Sequence, residues 1–397
     1  MKITKTNSIF VTLKENIELN ISLNENILDK LEFYAKFQPG KNAFIQLNND
    51  GIEEESITFS ELYEKCLNIA YQLNRLNLSN KQVLLIFNND INFIISFLAC
   101  LASNVIAVPV YIPKSNNHGE RLNSIISDCN ASAILTTTKL SKLIKSKLNY
   151  PSNLNAVNIY ETDSLLTKNP TKLLRLKRLN DVAFLQYTSG STSLPKGVMV
   201  SNDNITYNCK YIAQKANINQ KSRNLSWLPN YHDMGLFNGF LVLVFNGVTS
   251  IVMNPIAFIS KPANWLRTIS KYNITHTGGP NFAYDLCTEK ITDDEVESLN
   301  LKSWLCAFNG AENIKSTTLN NFNNKFKTAK FNPNAHFPCY GLAEATLMVT
   351  SCSNDRLPYI ENITTTGLNN NHAILTSKNS NNSIEVISTG TVAASNH

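Results

Sequence analysis

Short apolar runs alternate with amphipathic stretches along most of this chain. QVLLIF and DVAFLQYTSG are apolar and short, as expected of buried strands. Between these runs, apolar side chains recur every three or four positions, which predicts helices with one buried face. The clearest such series begins after Ser60, a predicted N-cap, and contains Leu62, Cys66, Ile69, Ala70 and Leu73. Strand and helix in alternation predict α/β units built on mostly parallel sheets, with helices on both faces.

One apolar stretch raises the question of a membrane. NFIISFLACLASNVIAVPVYI, residues 92–112, approaches the length that crosses a bilayer. Asn104 in its middle and Pro109 near its end argue against one spanning helix. We predict a buried helix that ends near Ser103 and Asn104, then a buried strand, and no transmembrane span. The N-terminal residues lack the continuous apolar core of a signal peptide.

Composition narrows the class of protein further. Of the 397 residues, 43% are hydrophobic and 17% charged, which is typical of a globular protein. The net charge of +6 is scattered, so we expect no nucleic-acid partner, although acidic ligands remain compatible. The eight cysteines form no CxxC pair, and most lie in apolar runs. They predict buried free thiols in a reducing compartment, the cytoplasm, rather than a zinc site.

The stretch LQYTSGSTSLPKGVMVS, residues 185–201, carries candidate chemistry. A strand that feeds a loop of Ser, Thr and Gly lets backbone N–H groups and hydroxyls converge on phosphate oxygens, and Lys196 adds a positive charge. A Walker loop does not fit, because Pro195 occupies a glycine position and Gly197 replaces the Ser or Thr that holds magnesium. The remaining alternative is a polar surface turn that binds nothing.

Several motifs together resemble one enzyme family. YTSGSTSLPKGVMVS looks like the phosphate-binding signature of adenylate-forming ligases, and SWLPNYHDMGLFNGF, THTGGPNFAYDLC, FNGAENI and PCYGLAEATL follow in that family's order. The residues in these motifs are most similar to those of fatty acyl-AMP ligases, which pass fatty acids to acyl carrier proteins. Ser193 stands where the superfamily usually has glycine. A serine with positive φ would cost about 1 kcal/mol there, which the loop can tolerate.

The resemblance implies roles for individual residues. His232 would orient the attacking carboxylate or donate to a phosphate oxygen, and Glu344 would hold Mg²⁺. With Lys196, these two are the predicted catalytic residues. The phosphates of ATP would be wrapped by Thr188, Ser189, Gly190, Ser191, Thr192 and Lys196. The adenine would lie among Gly310, Ala311, Glu312, Tyr340, Gly341, Leu342 and Ala343. The acyl tunnel would be lined by Met234, Gly235, Leu236, Gly278, Gly279, Pro280, Asn281 and Phe282.

The resemblance also implies a fold. We expect two Rossmann-like αβα subdomains of a ligase N-terminal domain, an incomplete β-barrel subdomain, and no C-terminal domain. The 46 positions between Glu344 and Gly390 are expected to contain the insertion typical of this branch. Asn-rich segments such as NNFNNKF, LNNNH and SKNSNN are predicted to be loops or merely biased in composition, and SIEVISTG a strand. The predicted divisions are an N-terminal extension (1–24), a first α/β subdomain (25–180), a second with the nucleotide and acyl site (181–350), and the insertion with the start of a third (351–397).

The predicted function is ATP-dependent conversion of a fatty acid to acyl-AMP for an acyl carrier protein. After Gly390 no Thr-Gly-Asp segment follows, and neither the hinge motif nor the catalytic lysine of the family's C-terminal domain is present. We therefore expect a truncated or split ligase, whose remaining parts a separate chain could supply. Two alternatives stay open: an inert or ligand-binding remnant without turnover, and an acyl-CoA synthetase.

Overall fold

The structure is a computed structural model, and it describes residues 25–148, 157–166, 181–188, 195–353 and 356–392. The predicted N-terminal extension and the predicted phosphate contacts Ser189, Gly190, Ser191 and Thr192 lie outside these residues, as does Ser193.

Two large sheets contain most of the strands, and helices connect the parallel ones. The strands are β1 (Asn42–Leu47), β2 (Glu53–Thr58), β3 (Gln82–Ile86), β4 (Ile106–Val110), β5 (Ala133–Thr136), β6 (Asn158–Glu161), β7 (Val182–Thr188), β8 (Lys196–Ser201), β9 (Arg223–Ser226), β10 (Thr249–Val252), β11 (His276–Gly279), β12 (Cys306–Asn309), β13 (His336–Gly341), β14 (Met348–Ser351), β15 (Ile360–Thr364), β16 (Ser383–Ile387) and β17 (Thr391–Val392). The α-helices are α1 (Ile27–Phe37), α2 (Phe59–Arg75), α3 (Ile91–Ala102), α4 (Asn116–Asp128), α5 (Thr138–Lys147), α6 (Thr162–Leu165), α7 (Asn202–Lys215), α8 (Asp233–Leu236), α9 (Val242–Asn246), α10 (Pro255–Ser260), α11 (Ala263–Tyr272), α12 (Asn281–Lys290), α13 (Asp293–Glu297), α14 (Ser316–Lys325) and α15 (Thr365–Asn369). A π-helix (Phe237–Leu241) joins α8 to α9, and two 3₁₀ turns cover Pro333–Ala335 and Ala343–Ala345.

Both sheets are mixed: their central strands are parallel, and antiparallel strands occur at the edges, on one side of the six-stranded sheet and on both sides of the nine-stranded sheet. The six-stranded sheet has the order β6-β5-β3-β4-β7-β8, in which only β8 runs antiparallel to its neighbour. The nine-stranded sheet has the order β17-β14-β13-β12-β11-β9-β10-β1-β2, and its strands from β13 to β1 are parallel. The predicted α/β class with two parallel-sheet units is confirmed.

The sheets exchange strands across the predicted division near residue 180. β1 and β2 precede that point but pair within the nine-stranded sheet, where Phe44 aligns with Ser250 of β10. β7 and β8 follow it but complete the six-stranded sheet. An apolar run predicts a buried strand but not its partner, because any neighbouring strand can satisfy its backbone groups. The proposed subdomain limits therefore remain predictions.

The stretch with membrane-like hydropathy is an ordinary buried core segment. α3 ends at Ala102, Ser103 caps it, and Asn104 takes the left-handed conformation with φ 56° before β4 begins. This confirms the predicted helix followed by a strand. In the ranges given above, no helix has both the length and the apolar character needed to cross a bilayer.

Two local predictions were wrong. Thr58, not Ser60, caps α2: its hydroxyl accepts from Glu61 N, and the Glu61 carboxylate accepts from Thr58 N. NNFNNKF is not a loop but part of α14 and its C-cap, because Phe322 and Phe326 are buried there with ring centroids 4.5 Å apart. Tertiary burial outweighs the weak helix propensity of asparagine at such a site.

The residues after Ser351 add only small elements. β15 and β16 form a separate two-stranded antiparallel sheet, and β17 extends the edge of the nine-stranded sheet. The predicted strand in SIEVISTG is confirmed as β16. Within the part of the chain that the structure describes, no sheet closes into a barrel.

All eight cysteines are free; six are buried, whereas Cys339 and Cys352 are half-buried.

Candidate active site

A cavity of about 440 Å³ opens where the carboxyl ends of strands from both sheets meet. β7 of the six-stranded sheet ends at Thr188, while β12 and β13 of the nine-stranded sheet lead into Gly310 and Gly341. The carboxyl edge of a parallel sheet is the usual place for a ligand, because loops there vary without disturbing the sheet. The cavity walls are formed by Gln186, Tyr187, Thr188, Ile212, His232, Asp233, Met234, Asn238, Gly310, Ala311, Cys339, Tyr340, Gly341, Leu342, Ala343, Glu344, Leu347 and Met348.

The cavity brings together most of the described residues that the motifs predicted. Segments separated by up to about 150 positions in the chain contribute to one wall surface, which neither local spacing nor composition requires. The predicted residues on the walls are Thr188, His232, Met234, Gly310, Ala311, Tyr340, Gly341, Leu342, Ala343 and Glu344.

Other predicted residues lie off these walls. Lys196 is exposed and is the register partner of Thr188, so the two residues flank the loop that joins β7 to β8. The Glu312 carboxylate accepts a 2.7 Å hydrogen bond from Phe282 N, at the start of α12. Gly235 packs against the backbone of Pro229, because a Cβ there would lie 2.0 Å from its carbonyl oxygen.

The two glycines of the predicted acyl turn are also closely packed. A Cβ on Gly278 would lie 2.0 Å from the Phe308 carbonyl oxygen, and one on Gly279 would lie 2.5 Å from Cζ2 of Trp227. Neighbouring groups therefore already fill the space beside these glycines. Pro280 follows as the residue before α12.

Two hydrogen bonds fix the backbone just before His232. Gln186 Nε2 on β7 donates to the Tyr231 carbonyl oxygen at 2.8 Å, and Asn230 Nδ2 donates to the Asn88 carbonyl oxygen at 2.7 Å. The imidazole is exposed to the cavity, and its partial desolvation there lowers its pKa despite the opposing charge of Asp233. His232 is thus neutral near pH 7 and keeps one donor and one acceptor nitrogen.

Asp233 is a site residue that the motif analysis missed. Its carboxylate accepts from its neighbour Met234 N at 2.6 Å, while burial, and to a smaller degree the charge of Glu344, raises its pKa. Two carboxylates thus share one cavity wall. The sequence signal that could have identified Asp233 is its position directly after His232 in NYHDMG.

The slot around Tyr340 is shaped by close backbone approaches. Half of the Tyr340 surface is exposed, at 52%, so one side of the ring is available to a ligand. Only glycine fits at position 341, because a Cβ there would lie 1.9 Å from the Leu347 carbonyl oxygen. Ala311 and Thr346 both have positive φ, 68° and 74°, an unfavourable conformation for residues with a Cβ.

Burial raises the pKa of Cys339 to about 12, so this wall residue is a thiol rather than a thiolate.

The strand that enters the phosphate loop is fastened to α4. The Tyr187 hydroxyl donates to Asp128 Oδ2 at 2.5 Å, and Arg121 Nη2 donates to the Thr188 carbonyl oxygen at 3.3 Å. Both bonds fix the end of β7, directly before the loop that the motif predicts to bind phosphate. The sequence carried no local signal for these contacts.

Comparison with known proteins gives a consistent family. Residues 31–385 match the family described as AMP-binding enzyme. The medium-chain-fatty-acid–[acyl-carrier-protein] ligase JamA of Moorena producens is 36% identical over 334 residues, which cover 82% of this chain and 56% of JamA.

Two solved structures from Legionella pneumophila are also similar. The fatty acid AMP ligase is 33% identical, with a TM-score of 0.86. The match covers 93% of this chain and 64% of the ligase chain. A fatty acyl-adenylate ligase in complex with acyl adenylate and pyrophosphate is 32% identical, with a TM-score of 0.83 and the same coverage. This chain thus spans less than two thirds of the length of each of these proteins.

Proposed function

The chain belongs to the AMP-binding enzyme family, and from this premise we propose that it activates a fatty acid with ATP for transfer to an acyl carrier protein. In this reaction a carboxylate oxygen bonds to the α-phosphorus of ATP, the bond from that phosphorus to the bridging oxygen breaks, and pyrophosphate leaves. The observation that carries the proposal is the single cavity shared by Thr188, His232, Gly310–Ala311 and Tyr340–Glu344.

The nucleotide is assigned to the Tyr340 side of the cavity. The half-exposed ring can stack on adenine, and the backbone around Gly310, Ala311, Gly341, Leu342 and Ala343 can approach the base closely. Glu312 is a weaker member of this slot, because its carboxylate is engaged by Phe282 N. Thr188 and Lys196 would hold the phosphates together with Ser189, Gly190, Ser191 and Thr192 of the loop between them.

His232 is assigned to the carboxylate that attacks. A fatty acid is already ionised at neutral pH, so no general base is required. A neutral imidazole can donate one hydrogen bond, either to the carboxylate or to an α-phosphate oxygen, and so orient that group for the reaction. The Lys196 ammonium, on the register partner of Thr188 at the other end of the loop, would add positive charge near the phosphates.

Glu344 is the proposed ligand of Mg²⁺. Its carboxylate shares the cavity wall with that of Asp233, and hard oxygen donors of this kind, with substrate phosphates, suit Mg²⁺. When bound, the ion would neutralise charge on the phosphates. Met234 on the wall is the proposed acyl contact. Gly235, Gly278, Gly279 and Pro280 lie off the cavity walls, and their contact with the acyl chain stays a prediction from the resemblance.

The carrier protein as acceptor is supported by the similarity to JamA, and coenzyme A is the alternative. The free thiols support a reducing compartment, and we place the protein in the cytoplasm. Offering coenzyme A and a pantetheinylated carrier protein side by side, with preformed acyl-AMP, separates the two acceptors.

Calorimetric titration with an acyl sulfamoyl-adenosine, a stable mimic of acyl-AMP, tests the site. Tyr340→Ala should weaken binding by about fivefold to a hundredfold, as loss of base stacking does. Tyr359→Ala is the control, since Tyr359 is exposed to a similar extent, 62%, but lies off the cavity. No binding by the native chain, or equal losses in both variants, would refute the proposed site.

Fatty-acid-dependent exchange of labelled pyrophosphate into ATP then tests turnover. Exchange by the native chain supports the ligase. Binding of the mimic without exchange would instead indicate a remnant that binds ligand but lacks catalytic power.

A further inference from the structure

A second, smaller cavity lies behind the first. Its volume is about 30 Å³, and Ile212, Asn238, Cys339 and Met348 belong to the walls of both cavities. Asn238 therefore lies at the junction of the two walls, between the larger cavity, which His232 also lines, and the smaller one.

The small cavity is suited to hydrocarbon. Beyond the junction, its walls include Val242, Leu243, Phe308 and Phe337, all of which are buried. At about 10–15 Å³ for each water-sized group, the space holds roughly two such groups. The small cavity can hold the last one or two carbons of an acyl chain, but not a longer segment.

The backbone at Asn238 is hydrogen-bonded to the neighbouring sheet. It lies in the π-helix, whose wider turns leave carbonyl oxygens in need of other donors. Asn224 Nδ2 donates to the Asn238 carbonyl oxygen at 3.0 Å, and Ser250 Oγ donates to the Gly239 carbonyl oxygen at 3.0 Å. Since β9 and β10 carry these donors, movement of the π-helix away from the sheet would break both bonds.

Neither cavity extends to the two glycines of the predicted acyl turn. The rings and backbone of Trp227 and Phe308 occupy the space beside Gly278 and Gly279, as the Cβ distances of 2.5 Å and 2.0 Å show. A chain that starts near His232 and Met234 therefore meets open space past Asn238 rather than past these glycines.

The geometry points to Asn238 as the residue that limits acyl chain length, with the terminal carbons of the acid seated between Leu243 and Phe308. This inference rests on the proposed function, and it narrows the substrate class to acids that end within about two carbons beyond Asn238. Each added methylene should bind about fourfold more tightly until the small cavity is full, and affinity should fall for longer chains.

Titration with a series of acyl sulfamoyl-adenosines of increasing chain length tests the inference. Asn238→Ala widens the junction and Leu243→Ala enlarges the small cavity, so both should move the best-bound length up by one or two carbons. Leu243→Phe fills the small cavity and should move it down by a similar amount. Leu241→Ala is the matched control: Leu241 is also buried but belongs to neither wall, so the optimum should not move.

The outcomes separate this inference from the proposed function. Sulfamoyl-adenosine without an acyl chain reports the nucleotide site alone, and its failure to bind would remove the proposed function. If it binds but all four variants share the native optimum, the chain takes another route and the role of Asn238 is refuted. Should Asn238→Ala not fold, the opposite shifts of the two Leu243 variants still decide the matter.

Discussion

Gln186 Nε2 lies 2.8 Å from the carbonyl oxygen of Tyr231 and donates a hydrogen bond to it. Gln186 is buried on β7, two residues before Thr188, and Tyr231 directly precedes His232. One side chain thus connects the strand that leads into the predicted phosphate loop with the loop that carries the histidine. This bond therefore helps to set the distance between the proposed phosphate site and the proposed carboxylate site.

Replacing Gln186 with leucine should separate these two loops. The variant leaves a buried carbonyl without its donor, which should lower the free energy of unfolding by about 1–3 kcal/mol. Misplaced reacting groups should also reduce pyrophosphate exchange by about tenfold to a hundredfold. Urea denaturation and the exchange assay measure the two effects.

Gln46→Leu provides the comparison for this experiment. Gln46 is equally buried, on β1, but its Nε2 donates to Leu47 O beyond the cavity walls. The Gln46→Leu variant should lower the free energy of unfolding without lowering pyrophosphate exchange by the folded protein. Equal losses of exchange in both variants would mean that Gln186 acts through stability alone.

Much of the site could be predicted because its residues lie in compact motifs. Thr188 and Tyr340 lie at the carboxyl ends of β7 and β13, Gly310 directly follows β12, and His232 lies in the loop after β9. Parallel strands whose carboxyl ends meet bring such residues together. The α/β class was predictable for a related reason, since the alternation of apolar runs and amphipathic helices is local.

What could not be predicted depends on contacts between distant segments. The pairing of β1 with β10 and the bond from Gln186 to Tyr231 join parts of the chain that carry no signal for each other. The same holds for Asn238, whose position at the junction of two cavities follows from the π-helix rather than from its neighbours in the sequence. Likewise, NNFNNKF became helical through the burial of Phe322, which composition does not reveal.

Gly341→Ala should damage the nucleotide slot. The added methyl would lie 1.9 Å from the Leu347 carbonyl oxygen, so the turn after β13 must shift. We expect a loss of about 1–3 kcal/mol in unfolding free energy and at least about tenfold weaker binding of sulfamoyl-adenosine. Gly40→Ala has nothing within 4 Å of the new methyl and should change neither quantity appreciably. Unaltered nucleotide affinity in Gly341→Ala would place the adenine elsewhere.

Asp90 predicts a pH dependence of stability. It caps α3 by accepting from Asn92 N and Phe93 N, and burial raises its pKa from 3.8 to about 6. Between these values the folded protein binds more protons than the unfolded chain, so the stabilisation is complete below about pH 4 and is lost as pH rises through about 6.

Asp90→Asn keeps the capping oxygen but cannot ionise. The variant should therefore be more stable than the native protein by about 1–3 kcal/mol at about pH 7.5, and the difference should vanish near pH 4. Urea denaturation across this range measures it, with Asp50→Asn, an exposed site, as the control. A pH-independent difference would show that ionisation of Asp90 is not responsible.

Glu344→Gln tests the proposed metal ligand against its neighbour in the motif analysis, Glu312. Both are exposed glutamates that follow strands of the nine-stranded sheet, but only Glu344 is on the cavity wall, whereas the Glu312 carboxylate accepts from Phe282 N. Replacing the anionic carboxylate with a neutral amide should raise the Mg²⁺ concentration needed for tight ATP binding by about tenfold or more, while AMP binding without Mg²⁺ stays unchanged. Glu312→Gln should leave the Mg²⁺ requirement as it is, because its carboxylate positions α12 rather than the phosphates. Calorimetric titration of ATP at several Mg²⁺ concentrations compares the two variants, and an equal Mg²⁺ requirement in both would remove Glu344 from the metal site.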